Sequence, residues 1–300
     1  MQTLLRALLF WSIRLLLKPV FSGWMPIGIQ RFWTRVMTAS SLPPRGTRIE
    51  RLDLGGVAAE CLSVPQSGAR TLLYLHGGGY CVGSPRTHRG LAAHLARACG
   101  ATAYVPDYRL APEHPHPAAL EDALACYRAL LAQGVNPAQL VLGGDSAGGG
   151  LALATAVAIR DAQLPLPAAL VLISPWTDLT LSGDSARTHT RRDPMLSSAI
   201  GALWSRLYLG KYPPDHPACS PLFASLTGLP PMLIQVGSEE ILLSDSLRLA
   251  QRAQAAGVTV RLSRYAGMWH DFQAHAGLLH ESDRAMTEVG DFVKNTIAAA

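Results

Sequence analysis

Beyond residue 70 the chain alternates between short apolar runs of strand character and longer segments of helical period, and this alternation constrains its fold more than any other feature. Strands are expected at 71–75, 102–106, 140–142, 170–174, 232–236 and 259–265. Helical patterns fall between them at 90–98, 118–132, 147–160, 244–256 and 282–296. Such an order builds a mostly parallel sheet with helices on both faces. Ligands then gather at the carboxyl ends of the strands. Two earlier strands, 48–54 and 57–64, form an expected hairpin around Gly55-Gly56, and helical pieces precede them to about residue 40.

Glycine is concentrated at two of those carboxyl ends. Gly143-Gly144-Asp145-Ser146-Ala147-Gly148-Gly149-Gly150 joins the strand at 140–142 to an alanine-rich helical run at 151–159. In a Gly-x-Ser-x-Gly corner, glycine at both flanks removes the collisions of a sharp turn and lets the hydroxyl point outward, which makes Ser146 the candidate nucleophile. A Gly-rich turn without chemistry would give the same pentapeptide. The second cluster, His76-Gly77-Gly78-Gly79-Tyr80, follows the strand at 71–75 and offers bare backbone amides. Acyl transfer builds negative charge on a carbonyl oxygen, and the amides of Gly77, Gly78 and Ala147 are the expected oxyanion donors. A phosphate cradle is disfavoured, because no Gly-Lys-Ser/Thr follows and Val82 stands where a dinucleotide fingerprint needs glycine.

A serine hydroxyl needs a base, and the base needs a group to orient it. His270, in Gly267-Met-Trp-His270-Asp271-Phe272, lies after the last strand and before the final helix, where the chain order Ser, acid, His would put it; His275 and His280 are weaker options. Three carboxylates after the strand at 232–236 compete for the acid: Glu239, Glu240 and Asp245. Asp245 is sufficiently explained as a helix-start residue. Glu240 precedes the apolar Ile241-Leu242-Leu243 that would tuck inward, and is preferred.

With 300 residues at 49% hydrophobic, and no linker or repeat, one large core is expected. The net charge of +5 is spread over scattered Lys and Arg with no aromatic-interleaved basic run, so no nucleic-acid partner is expected. Five cysteines without a Cys-x-x-Cys pair argue against a zinc site or disulfide framework and fit a reducing cytoplasm. Residues 1–20 are strongly apolar, but Arg14 interrupts them, no Ala-x-Ala-type cleavage site follows, and the uninterrupted run is too short to span a bilayer. A helix capping an apolar pocket is the first expectation, and peripheral membrane contact the second.

Four ordered motifs, His76-Gly-Gly-Gly79, Tyr108-Arg-Leu-Ala-Pro-Glu-His114, Pro117-Ala-Ala-Leu-Glu-Asp122 and Gly144-Asp-Ser-Ala-Gly-Gly149, resemble the bacterial hormone-sensitive-lipase family of α/β-hydrolases over residues 45–297. The resemblance implies an α/β-hydrolase fold, with a mostly parallel eight-stranded sheet, helices on both faces and a helical cap. It implies carboxylesterase activity with Ser146 as nucleophile, His270 as base and the acid after the seventh strand. Many relatives carry Asp-Pro-Leu there; this chain has Glu240-Ile-Leu and looks like the branch that uses glutamate. The family pattern also implies N-terminal cap helices over 1–45, a catalytic domain over 46–300 with a cap insertion at about 179–221, and homodimers through the last strand. No cofactor or metal is expected. Trp176, Met268, Leu203 and Leu207, with Phe21, Trp24 and Met25, are candidates for an acyl pocket, although apolar cap residues more often serve as core. Short- to medium-chain esters, about C2 to C8, are the expected substrates of so compact a cap. Amidase action and a non-catalytic binding protein on the same fold are the rivals. The apolar cap and the lack of an evident charged specificity pocket favour esters over amides.

Overall fold

A computed structural model of the chain describes residues 1–65 and 67–297. Its strands are β1 (Arg48–Asp53), β2 (Ala58–Ser63), β3 (Arg70–Leu75), β4 (Ala101–Pro106), β5 (Leu140–Asp145), β6 (Ala169–Ile173), β7 (Met232–Gly237) and β8 (Val260–Tyr265). They form one sheet in the order β1-β2-β4-β3-β5-β6-β7-β8. The β1-β2 hairpin is antiparallel, with Asp53 opposite Ala58, and β2 runs antiparallel to β4; every later pairing is parallel. The hairpin turn is closed by the Gly56 amide donating to Asp53 Oδ1 at 2.8 Å.

The helices are α1 (Gln2–Ser12), α2 (Ile27–Met37), α3 (Pro85–Cys99), α4 (Ala118–Ala132), α5 (Ser146–Asp161), α6 (Asp184–Thr188), α7 (Ser198–Leu209), α8 (Leu243–Ala255) and α9 (His280–Thr296). Central strands are buried on both faces, so successive residues feed two separate apolar layers. On β5, Leu140 and Leu142 enter the larger layer with α4, α5 and α8, while Val141 enters the layer under α3 and α9. The start of α3 lies five residues before the periodic apolar segment that marks it in the sequence. Ser84 and Thr87 form a reciprocal capping box and Pro85 occupies the first turn, a start signal carried by polar residues and not by hydrophobic period.

Two segments distant in sequence meet over the carboxyl ends of β5, β7 and β8. Residues 1–45 contribute α1, a π-helical turn at Ile13–Leu17, and α2; the stretch at 179–221 contributes α6 and α7. Lys18 Nζ donates to the carbonyls of Thr190 and Asp193, and Arg14 to that of Arg191 at 2.8 Å, which fastens the first segment to the second. Trp204 of α7 donates its indole N–H to Gln30 Oε1 of α2 at 3.1 Å and meets Phe21 edge-on.

Candidate active site

Ser146 opens α5 at φ 52°, a left-handed conformation that costs about 1–3 kcal/mol for a residue with a side chain. The surroundings hold it there. A Cβ on Gly148 would stand 2.0 Å from the Leu75 carbonyl oxygen, and one on Gly144 would stand 2.4 Å from the Gly148 carbonyl oxygen, so the turn closes only with glycine at both flanks. The Trp176 amide donates to the Ser146 carbonyl at 2.8 Å and pins the turn from β6.

The loops after β7 and β8 bring the other two groups to this corner. His270 Nε2 lies 2.9 Å from Ser146 Oγ, and His270 Nδ1 lies 2.8 Å from Glu240 Oε2. Glu240 is fully buried, and its second oxygen accepts from Ser174 Oγ at 2.8 Å and from the Gly237 amide at 2.6 Å. A carboxylate so fixed by donors can only face the imidazole with its remaining oxygen. Glu239 turns aside, accepting from its neighbour Ser238 Oγ, and Asp245 accepts from the Thr177 and Asp178 amides. Neither reaches His270.

Asp271 adds a second carboxylate. Its Oδ2 stands 3.0 Å from His270 Nε2, on the side of the ring that faces Ser146, and its backbone is left-handed at φ 54°. Burial alone would lower the imidazole pKa, but the carboxylates of Asp271 and Glu240 outweigh it and hold His270 well above its ordinary range. Burial in turn pushes the Asp271 carboxyl up. Both shifts describe one property: the cluster retains a proton that neither group owns alone.

The glycine cluster after β3 differs from its expected use. The Gly77 amide donates to Asp145 Oδ1 at 3.0 Å, so it is already spent and does not face the Ser146 cavity. A Cβ there would meet Asp145 Oδ2 at 2.0 Å, which explains the glycine by close approach. Gly78 and Gly79, at φ 120° and 59°, line the cavity beside Ser146. Asp145 also accepts from Tyr74 Oη and lies 3.4 Å from His88 Nε2. It therefore braces the glycine turn from behind the serine. His76 Nδ1 contacts the Gly77 carbonyl at 2.8 Å while its ring stacks on Tyr108 at 4.2 Å; burial, with the neighbouring His88, pushes its pKa down to about 3. It is a neutral brace of the same turn. Arg109 pairs with Asp122 at 2.8 Å and Glu121 at 3.1 Å on α4.

Two cavities open at Ser146. One, of about 10 Å³, is walled by Trp176, Leu196, Ile200, Trp204 and Ile241. The other, of about 200 Å³, runs beneath the N-terminal helices along Leu9, Ile13, Leu17, Met37 and His275. Trp204, Gly79 and Leu196 border both. Of the expected pocket residues, Trp176 and Phe21 line one cavity each. Leu203 and Leu207 line neither: they flank Trp204 on α7 and pack half-buried against the core. Met268 is fully buried in the core, and its carbonyl accepts from the Glu239 amide at 2.9 Å, which clips the β7 and β8 loops together.

Sequence inspection passed over Asp193. Its Oδ1 accepts from the Met195 and Leu196 amides and its Oδ2 from the Ile241 amide at 3.1 Å, tying the insertion to the residue after Glu240. The signal was the dipeptide Asp193-Pro194, in which Asp turns the chain by accepting from amides ahead of it.

Comparison with known proteins agrees with this fold. A family described as having the alpha/beta hydrolase fold matches residues 72–274. An acetyl-hydrolase of Streptomyces hygroscopicus is 46% identical over 241 residues, covering 80% of this chain and 81% of its own, and an esterase of Acinetobacter venetianus is 38% identical over 246 residues, covering 82% and 81%. The crystal structure of an esterase from the bacterial hormone-sensitive lipase family superposes with a TM-score of 0.93 at 41% identity, covering 98% of each chain. The chain belongs to the bacterial hormone-sensitive-lipase family of α/β-hydrolases, a family of carboxylic ester hydrolases.

Proposed function

We propose that the protein hydrolyses short- to medium-chain carboxylic esters through an acyl-enzyme on Ser146, with His270 as general base and acid and Glu240 orienting the imidazole. The observation that carries this is the unbroken line of contacts from Glu240 through His270 to Ser146, at 2.8 and 2.9 Å. Ser146 Oγ attacks the ester carbonyl carbon as its proton passes to His270 Nε2. The carbonyl oxygen becomes an oxyanion facing the amides of Gly78, Gly79 and Ala147, each such donor contributing about 3 kcal/mol to the transition state. The carbon–oxygen bond to the alcohol breaks, and His270 returns the proton to the leaving oxygen. Water, deprotonated by the same imidazole, then attacks the acyl carbon and frees Ser146 with the carboxylic acid.

The two cavities fit a molecule with unequal arms. The smaller admits little beyond a single small group, which supports a short chain on one side of the ester, and the larger leaves room for an extended apolar group on the other. A panel of esters from C2 to C16, run on the parent, Ser146→Ala and Glu240→Gln, tests the proposal. Turnover should peak at or below C8, fall by about 10⁵-fold or more in Ser146→Ala and by about 10²- to 10⁴-fold in Glu240→Gln. A peak at C16, or a Ser146→Ala protein that keeps its rate, would overturn it. Amides carrying the same acyl group should turn over far more slowly than the esters. A cytoplasmic location fits the five cysteines, all buried as free thiols. Cell fractionation that places the protein outside the cytoplasm would refute that location.

A further inference from the structure

The N-terminal helices carry two faces, and the cavity accounts for only one. Eleven of the fifteen large apolar side chains that stand exposed among the described residues fall within residues 1–42. On α1 and the turn after it, Leu9, Ile13 and Leu17 line the cavity, whereas Leu4, Leu8, Trp11 and Leu15 recur at helical spacing on the opposite side, each more than half exposed. On α2, Thr34 and Met37 face inward, and Ile29, Phe32 and Val36 face outward. Trp24, in the connection, is 75% exposed. Both outer stripes lie away from the shared cavity. Exposing this much apolar side chain within one short segment is costly unless something covers it.

Charge indicates what that something is. Residues 1–49 contain seven Lys and Arg and no Asp or Glu. Arg6 and Arg31 are matched by Glu281 and Glu113 and Lys18 lies near the Asp193 carboxylate, but Arg14 donates to a carbonyl oxygen, which does not cancel its charge, and Arg35, though near Asp107, is exposed beside Phe32 and Val36. A second copy of this chain placed on the same face would set cations against cations. An apolar stripe with tryptophan and a rim of Lys and Arg instead matches the boundary between lipid headgroups and acyl chains, where each cation near an anionic surface adds to the attraction. No helix among the described residues is long and apolar enough to cross a bilayer, so the fit is to a surface.

We propose that the outer face of α1 and α2 is a docking surface for anionic lipid membranes. The test is flotation of the full-length protein with vesicles of phosphatidylcholine alone or mixed equally with phosphatidylglycerol, at low and high salt. The parent should float with the anionic vesicles at low salt about tenfold better than with phosphatidylcholine. The variant Leu8→Gln/Trp11→Gln/Phe32→Gln should lose about tenfold of that binding, and Arg35→Glu should weaken it, while both keep the parent's rate on a water-soluble short ester. That retained rate shows the variants to be folded. Equal flotation with both vesicle types, no flotation, or a triple variant that floats like the parent would each overturn the proposal. So would a parent whose solution mass is halved by the triple substitution, because the face would then belong to a second copy.

Discussion

His270 lies between two carboxylates, and only one of them lies on the side of the ring away from Ser146. Glu240 holds the ring from the Nδ1 side, while Asp271 stands 3.0 Å from Nε2, the nitrogen that must accept the serine proton. Activity needs that nitrogen unprotonated. Because the imidazole pKa is held above its ordinary value, the acid limb of kcat/KM should lie above the range of a free histidine. Asp271→Asn removes one of the charges that raise it, so the limb should move to lower pH; a pH profile of kcat/KM checks both statements. An unmoved limb would mean that Asp271 is already neutral in the working enzyme. At this scale the sequence spoke clearly where chemistry is local. Ser146 and its flanking glycines were legible because the turn is made by residues adjacent in sequence. Gly77 was misread because the group that consumes its amide, Asp145, comes from another strand and leaves no mark near residue 77.

At the scale of elements, α7 is the part that decides what the site accepts. Leu203 and Leu207 are the candidates named from its sequence, and the rotation of the helix about its axis presents Trp204 instead, a residue that sequence reasoning missed. That rotation is set by contacts to Gln30 and Phe21 of another segment, which no pattern within α7 contains. Trp204 packs so tightly on Gly79 that a Cβ at that glycine would stand 2.2 Å from its ring. Trp204→Ala should therefore join the two cavities and move the preferred acyl length upward, at a cost of about 3–5 kcal/mol in stability. Comparing acyl-length profiles and chemical denaturation of the two proteins checks this; an unchanged profile would show that another residue sets the limit. The sheet, by contrast, was readable strand by strand, because buried parallel strands are short apolar runs bounded by turns. The elements at 179–221 were not, since their helices are short and held by polar contacts such as those of Asp193.

For the molecule as a whole, β8 ends the sheet beside α9 with one edge unpaired by any strand of the chain among the described residues. Its side chains are mostly half-exposed, and an open edge invites a second strand. We expect pairing of β8 between two copies, which light scattering would report as a mass near twice the 32.1 kDa of one chain. A mass of one chain at micromolar concentration would refute it. The triad and the glycine turn come from the ends of β3, β5, β7 and β8, whereas about half of the residues that wall the cavities come from residues 1–45 and 179–221. Descendants of this chain can thus inherit the bond-breaking apparatus intact while mutation of two peripheral stretches redirects it to other esters.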